Sequence, residues 1–247
     1  MIPAHMDIAQ VGKVHMVNLY NRFDSPIISS TVTTGMDTSL EVATLKALSE
    51  FIERFAFQEG YKSSNPYCMT DRSDGFAAFP KLDSNFKEET RENALNEAIE
   101  RYAWATWWDN TDTRYTITDV SLENKNFWGD SIDLLLEVDD MLGIDSLKVI
   151  SPYLNKFEDR QLLIIACELA SGGVITGGAC GKIENTPKTI LRAVSELARH
   201  ALALYRAEVE NYTPTSFYEK RLFFFASEEG FKIYKNRLDH NGDKSID

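Results

Sequence analysis

Two helical segments of this 247-residue chain carry the same five-residue pattern. One reads Glu50-Phe51-Ile52-Glu53-Arg54 and the other Glu97-Ala98-Ile99-Glu100-Arg101. A third helical segment carries the related run Glu196-Leu197-Ala198-Arg199-His200. Residues three and four apart share a helix face, so each segment offers an ionic stripe about one turn long. The ordinary reading of such a stripe is a solvated face laced with ion pairs. Three facts argue for more. The same arrangement occurs twice. At about 100° per residue, Trp104 and Trp108 fall within about 20° of Glu97, and Ala193, Ala203 and Leu204 flank Glu196. The opposite faces are apolar too: Leu45, Leu48, Ile52 and Phe55; Leu95, Ile99 and Tyr102; Val194, Ala198, Ala201 and Tyr205. Helices apolar on both sides of a charge stripe are often buried all round.

Buried carboxylates are costly unless they are paired or bound to a metal. Several converging glutamates repel one another, and a hard divalent cation relieves the repulsion. Mg²⁺ in such a setting also binds phosphate. If the stripes converge, the residues point to a carboxylate-lined Mg²⁺–polyphosphate site between helices.

Composition narrows the class. Hydrophobic residues make up 43% and charged residues 26%, which gives a sizeable core and excludes a chain disordered throughout. Lys+Arg number 26 against 38 Asp+Glu, a net charge of −12, and no basic run is present, so a nucleic-acid partner is not expected. No apolar stretch reaches the ~18–20 residues of a membrane span, and the first residues lack the pattern of a secretory signal. Cys68, Cys167 and Cys180 lack metal spacing and are odd in number. A reducing, cytoplasmic setting and small buried hydrophobes are therefore expected. With only His5, His15, His200 and His240, a His-rich metal site is excluded by count.

Along the chain, residues 11–18 and 26–33 read as strands, joined by turn chemistry at 22–26. A helix over about 39–59 follows, with Thr38 and Glu41 at capping-box spacing and Gly60 as its stop. Residues 72–80 enter a strand, and a second long helix covers about 85–108. Strands are expected at 113–121, 146–151, 160–169 and 173–180, with a short helix at about 131–142. Four glycines weaken the strand at 173–180. A third long helix begins at Thr186-Pro187 and runs to about 210, and 217–237 is an aromatic helical segment. The expectation is one α+β domain over 1–237, mostly antiparallel strands alternating with three long helices, and a flexible tail at 238–247. Trp104, Trp107, Trp108 and Phe223-Phe224-Phe225 read first as core, and Lys13 and His15 as surface strand positions.

No Walker A motif, dinucleotide fingerprint or Gly-x-Ser-x-Gly elbow is present, which disfavours nucleophilic catalysis by the protein itself.

The ordered blocks resemble the YcaO family from about residue 12 to about residue 207. The family's Ser-x-x-x-Glu-x-x-Glu-Arg is similar to the run from Lys46 to Arg54, with Lys46 in place of serine. Its second block, Asn-Gly-x-x-Ala followed by glutamates, looks like Asp74-Gly75-Phe76-Ala77-Ala78, then Glu89, then Glu97 to Arg101. Its last helix, Arg-x-x-x-Glu-x-x-x-Gln, is similar to Arg192, Glu196 and His200. The resemblance implies ATP-dependent activation of a peptide backbone amide. The amide oxygen attacks the γ-phosphate, a nucleophile adds to the amide carbon, and phosphate leaves. The product is an azoline ring from Cys, Ser or Thr (cyclodehydration), or a thioamide or amidine, as in the biosynthesis of ribosomally made, modified peptides.

On this resemblance Glu50, Glu97, Glu100 and Glu196 are the implied Mg²⁺ ligands, and Lys46, Glu53, Asp74, Glu89, Arg101, Arg192 and His200 the implied nucleotide contacts. Glu97, Glu100 and Arg101 are the groups nearest the chemistry. Lys46, Asp74 and His200 depart from the family pattern. A second expectation follows from them: a degenerate, inactive subunit that binds peptide or scaffolds a modification complex. The chain is short for the family, so a partner protein is expected to recognise the leader of the peptide substrate. A homodimer is the default assembly.

Overall fold

The computed structural model describes residues 5–20, 32–62, 84–110, 113–154, 157–209, 213–214 and 217–239. The chain divides into two compact units, Met1–Ile99 and Glu100–Asp247. No helix among the described residues is long and apolar enough to cross a membrane.

The first unit opens with a hairpin, β1 (His5–Val11) and β2 (Val14–Tyr20). Gly12 turns the chain at a φ of 55°, which fits a two-residue hairpin loop. The strand expected at 11–18 is the turn and most of β2, and β1 precedes it. The hairpin's signal is Gly12-Lys13 between two valines. Strand β3 (Val32–Asp37) pairs antiparallel with β2, giving the order β1-β2-β3. It overlaps the expected strand only at residues 32–33. Residues 22–31 and 72–80 lie outside the described residues.

Helix α1 (Leu40–Lys62) packs on β2 and β3. Val17 and Leu19 meet Ala43, Ala47 and Phe51 in a fully enclosed cluster. The cap of α1 is Ser39 rather than Thr38. The Ser39 hydroxyl accepts from Val42 N–H at 3.4 Å, and Asp37 Oδ1 holds Ser39 N–H at 3.0 Å. The helix also passes through Gly60 to Lys62.

Helix α2 (Ser84–Asp109) spans the division between the units. The second unit continues with β4 (Tyr115–Asp119), a short α3 (Lys125–Trp128) and α4 (Ile132–Leu142). Strands β5 (Ile144–Pro152), β6 (Arg160–Leu169) and β7 (Val174–Lys182) follow. The sheet is antiparallel in the order β4-β5-β6-β7, so β7 is an edge. Every residue from Leu162 to Leu169 is buried, so β6 is covered on both faces.

Helix α5 (Thr186–Val209) lies along β6 and β7. The aromatic segment forms two helices, α6 (Phe217–Phe225) and α7 (Glu228–Asp239), broken at Ala226-Ser227. The last helix runs two residues past the expected end of the domain, and residues 240–247 lie outside the described ones. The architecture is α+β with antiparallel sheets and long helices.

Candidate functional site

The adjacent glycines of β7, which weaken a strand on propensity alone, are required by packing on both faces. A Cβ on Gly177 would stand 2.2 Å from Ala193 O and 2.4 Å from Leu197 N, so α5 approaches backbone to backbone. A Cβ on Gly178 would stand 2.1 Å from the Trp104 ring of α2. Successive strand residues point to opposite faces, so one glycine admits each helix.

This close approach lets charged side chains reach the outer edge of β7. Glu196 Oε2 accepts from Gly178 N–H at 2.8 Å. Glu100 Oε2 accepts from Cys180 N–H at 3.2 Å, and Arg192 Nη1 donates to Cys180 O at 3.3 Å. His200 Nδ1 lies 2.6 Å from Thr176 O. A carbonyl only accepts, so Nδ1 carries the proton and the ring is the neutral Nδ1–H tautomer or the cation. Burial pushes the His200 pKa down, against the pull of Glu196, which favours the neutral ring.

The first unit uses the same device. Gly35 of β3 faces Ala43 O and Ala47 N, where a Cβ would stand at 1.9 and 2.4 Å. Arg54 Nη1 donates to Val32 O at 3.0 Å, Glu50 Oε2 accepts from Thr34 N–H at 2.8 Å, and Lys46 Nζ donates to Met36 O at 3.1 Å. The helix positions step by four while the strand positions step by two in the opposite direction. Four helical residues rise about 6.0 Å and two strand residues about 6.8 Å, so the two ladders keep pace. Arg192, Glu196 and His200 match Cys180, Gly178 and Thr176 by the same rule. The charge stripes therefore line strand edges, which in a lone sheet expose unpaired N–H and C=O groups.

Other ties are local. Glu50 Oε1 pairs with Arg54 Nη2 at 2.6 Å, and Glu196 Oε1 meets Arg199 Nη2 at 3.4 Å. Lys46 Nζ pairs with Asp37 Oδ2 at 2.8 Å. Burial raises the Asp37 pKa, but Lys46 and the Ser39 N–H outweigh it, so the carboxyl stays ionised below its ordinary range.

Of the residues singled out in the sequence, the structure gathers Glu100, Arg192, Glu196 and His200 at β7, and Lys46 and Glu50 at β3. Glu97 is half-buried in the first-unit part of α2, and Arg101 is exposed. Asp74 and the side chains of Glu53 and Glu89 lie outside what is described. Among the described residues, no group of three or more His, Cys, Asp or Glu side chains stands together to hold a metal. The site's donors are hard oxygens, suited to Mg²⁺: Glu100 and Glu196 reach neighbouring amides of β7, and Glu50 reaches an amide of β3. Magnesium bound with polyphosphate needs only one or two carboxylates, with waters and phosphate oxygens completing the shell. The residues fit that kind of site and do not fit an all-protein cage.

Two buried ionic groups were not signalled by the sequence patterns. Glu168 on β6 is 5% exposed and pairs with Lys235 at 2.7 Å and Lys148 at 3.9 Å. Arg237 on α7 lies over the rings of Trp107 and Tyr115 and donates to Trp107 O and Asn110 O. Cys167 and Cys180 are buried thiols, and burial pushes the Cys167 thiol up to about 12. Cys68 lies outside the described residues.

The fold is shared with solved structures. A chain of the E. coli Microcin synthetase McbBCD complex superposes with a TM-score of 0.64 at 12% identity, covering 99% of this chain and 76% of that one. The E. coli Microcin synthetase McbBCD complex with pro-MccB17 bound gives a TM-score of 0.60 at 11% identity, covering 97% and 74%. No family model matches the sequence, and no curated protein matches it.

Proposed function

We propose that this chain is a YcaO-type subunit that activates a peptide backbone amide with ATP and Mg²⁺, within an assembly that modifies ribosomally made peptides. The observation that carries the reading is the gathering of Glu100, Arg192, Glu196 and His200 along one strand edge by two helices. The fold likeness to a microcin synthetase chain adds support, and the pro-MccB17 bound in one of those complexes favours a peptide as the substrate class.

Glu100 and Glu196 are the residues of the second unit proposed as Mg²⁺ ligands, and Glu50 and Glu97 those of the first. Each backbone bond takes one carboxylate oxygen and fixes the group's direction, while a carboxylate has about four acceptor positions. Arg192 is proposed to meet phosphate, for which a guanidinium is the strongest side-chain partner. Lys46, Glu53, Asp74, Glu89, Arg101 and His200 complete the proposed nucleotide contacts. ATP supplies the phosphoryl group that makes the amide oxygen a leaving group. The product is an azoline, thioamide or amidine according to the nucleophile. A cytoplasmic setting and a separate leader-recognition partner belong to this proposal.

A second reading has its own observation. Edge capping alone accounts for the stripes at Lys46, Glu50, Glu196 and His200. On that reading the chain binds peptide or scaffolds the assembly without turnover.

Titration calorimetry with Mg²⁺–ATP, followed by peptide-stimulated phosphate release, tests the pair. Glu97→Gln is expected to abolish nucleotide binding with the circular dichroism spectrum intact. Unchanged affinity in that variant removes the site assignment. Peptide binding with no phosphate release selects the second reading.

A further inference from the structure

The edges of β3 and β7 are lined by charged side chains, and the edge of β1 is not. In the two-residue hairpin Val11 and Val14 exchange hydrogen bonds, so pairing to β2 falls on the odd residues of β1. The N–H and C=O groups of Met6, Ile8 and Gln10 therefore face outward. Among the described residues, no helix caps them as α1 caps β3.

The side chains of the same residues lie on the helix-covered face. Met6 and Ile8 oppose Leu19 and Val17, which are buried under α1. Yet Met6 is 50% and Ile8 46% exposed, because α1 sits over β2 and β3. On α1, Ala43, Ala47 and Phe51 point at the sheet, and Lys46, Glu50 and Arg54 lean toward β3. At about 100° per residue, Leu48 leans the other way, toward β1, while Leu45 and Ile52 fall on the face turned from the sheet. Leu48 is 36% exposed. The result is an open apolar groove, floored by Met6 and Ile8, walled by α1, and bordered by a strand edge that no strand pairs among the described residues.

We propose that this groove takes an extended peptide segment, which adds a strand antiparallel or parallel to β1 and directs alternate apolar side chains toward α1. The proposal rests on the reading of the chain as a peptide-modifying subunit. Strand addition satisfies the outward groups of Met6, Ile8 and Gln10 and covers the apolar floor in one act. A second copy of this chain fits less well. Two β1 strands paired across a two-fold axis would set the α1 helices about four strand spacings apart, about 19 Å. Helices pack at about 8–10 Å, so both α1 flanks would stay bare. A partner helix would cover the side chains and leave the backbone edge unmet.

The test uses the intact chain without nucleotide, so failure of ATP binding leaves it unaffected. Random 12-residue peptides displayed on phage are selected on the protein, and the winners are synthesised. Apolar residues are expected at alternate positions. Binding is expected to fall at least tenfold in Ile8→Lys and in Leu48→Lys, both at exposed positions, and to be unchanged in Leu136→Lys, an exposed control on α4. N-methylation of the peptide amides on one side should abolish binding, and on the other side leave it intact. Hydrogen exchange on the wild-type chain should show the Met6 and Ile8 amides protected only with peptide. Selected peptides with helical spacing, binding indifferent to Ile8→Lys and N-methylation, protection by self-association at rising concentration, or no binder at all would each overturn the proposal.

Discussion

The Glu196 carboxylate accepts the Gly178 amide hydrogen at 2.8 Å, on the side of β7 that no strand covers among the described residues. Replacing Glu196 by leucine leaves that N–H without its acceptor, at a cost of about 1–3 kcal/mol. Glutamine keeps an acceptor and should lose less than half as much. Urea unfolding of the two variants separates the loss of the hydrogen bond from the loss of charge. Nucleotide affinity measured on the glutamine variant then reports on charge alone.

His200 makes stability depend on pH in a defined direction. Burial lowers its folded pKa below the ordinary 6.5. Above 6.5 the ring is neutral in both states and contributes no slope. As pH falls below 6.5 the unfolded chain takes up the proton first, so stability declines until the folded pKa is reached and is level beyond it. Relative to the parent, His200→Gln should remove this decline. A series of chemical unfolding curves between pH 7.5 and pH 5 measures the difference, and parallel profiles would contradict the prediction.

Gly35→Ala and Gly177→Ala both drive a methyl group into helix backbone, at 1.9 and 2.2 Å from the nearest carbonyl oxygen. Neither neighbour is a side chain that can swing aside. Each substitution should cost about 1–3 kcal/mol or more. Gly172→Ala meets no crowding, and its cost arises only from a φ of 88°. Thermal unfolding of the three variants should therefore rank the two packed glycines as the more damaging.

Arg237 fastens α7 to the end of α2 through Trp107 O and Asn110 O, where a cation also meets the negative end of the helix dipole. Arg237→Leu should cost at least about 2 kcal/mol, because carbonyls lose charged donors as the ring contacts are lost. Limited proteolysis should then cut around residues 226–227, between α6 and α7, sooner than in the parent. Arg237→Lys should restore only part of the protection, since a lysine lacks the planar fork.

The long helices and the strands of the second sheet are legible in the sequence because periodicity and caps coincide there. Thr186-Pro187 opens α5, and 160–169 is a strand to the residue. The hairpin at the start was missed because its first strand, His5–Val11, alternates weakly and its turn carries a lysine after the glycine. The Gly177-Gly178 pair argued against a strand on propensity, and only the two helices pressed on it explain the residues. The charge stripes were visible as stripes. Their attachment to strand backbone was not, because nothing local to α1 or α5 states which carbonyls and amides lie opposite. Arg237 and Glu168 gave no signal at all, since their partners stand far away in sequence.

The edges of β3 and β7 are each sealed by side chains that follow within about twenty-five residues, Lys46, Glu50 and Arg54 for β3 and Arg192, Glu196 and His200 for β7. During synthesis the β3 edge can thus close against stray pairing while most of the protein is still being made. The β7 edge stays adhesive until α5 leaves the ribosome, so a ribosome stalled between β7 and α5 is the moment at which neighbouring nascent chains would stick together.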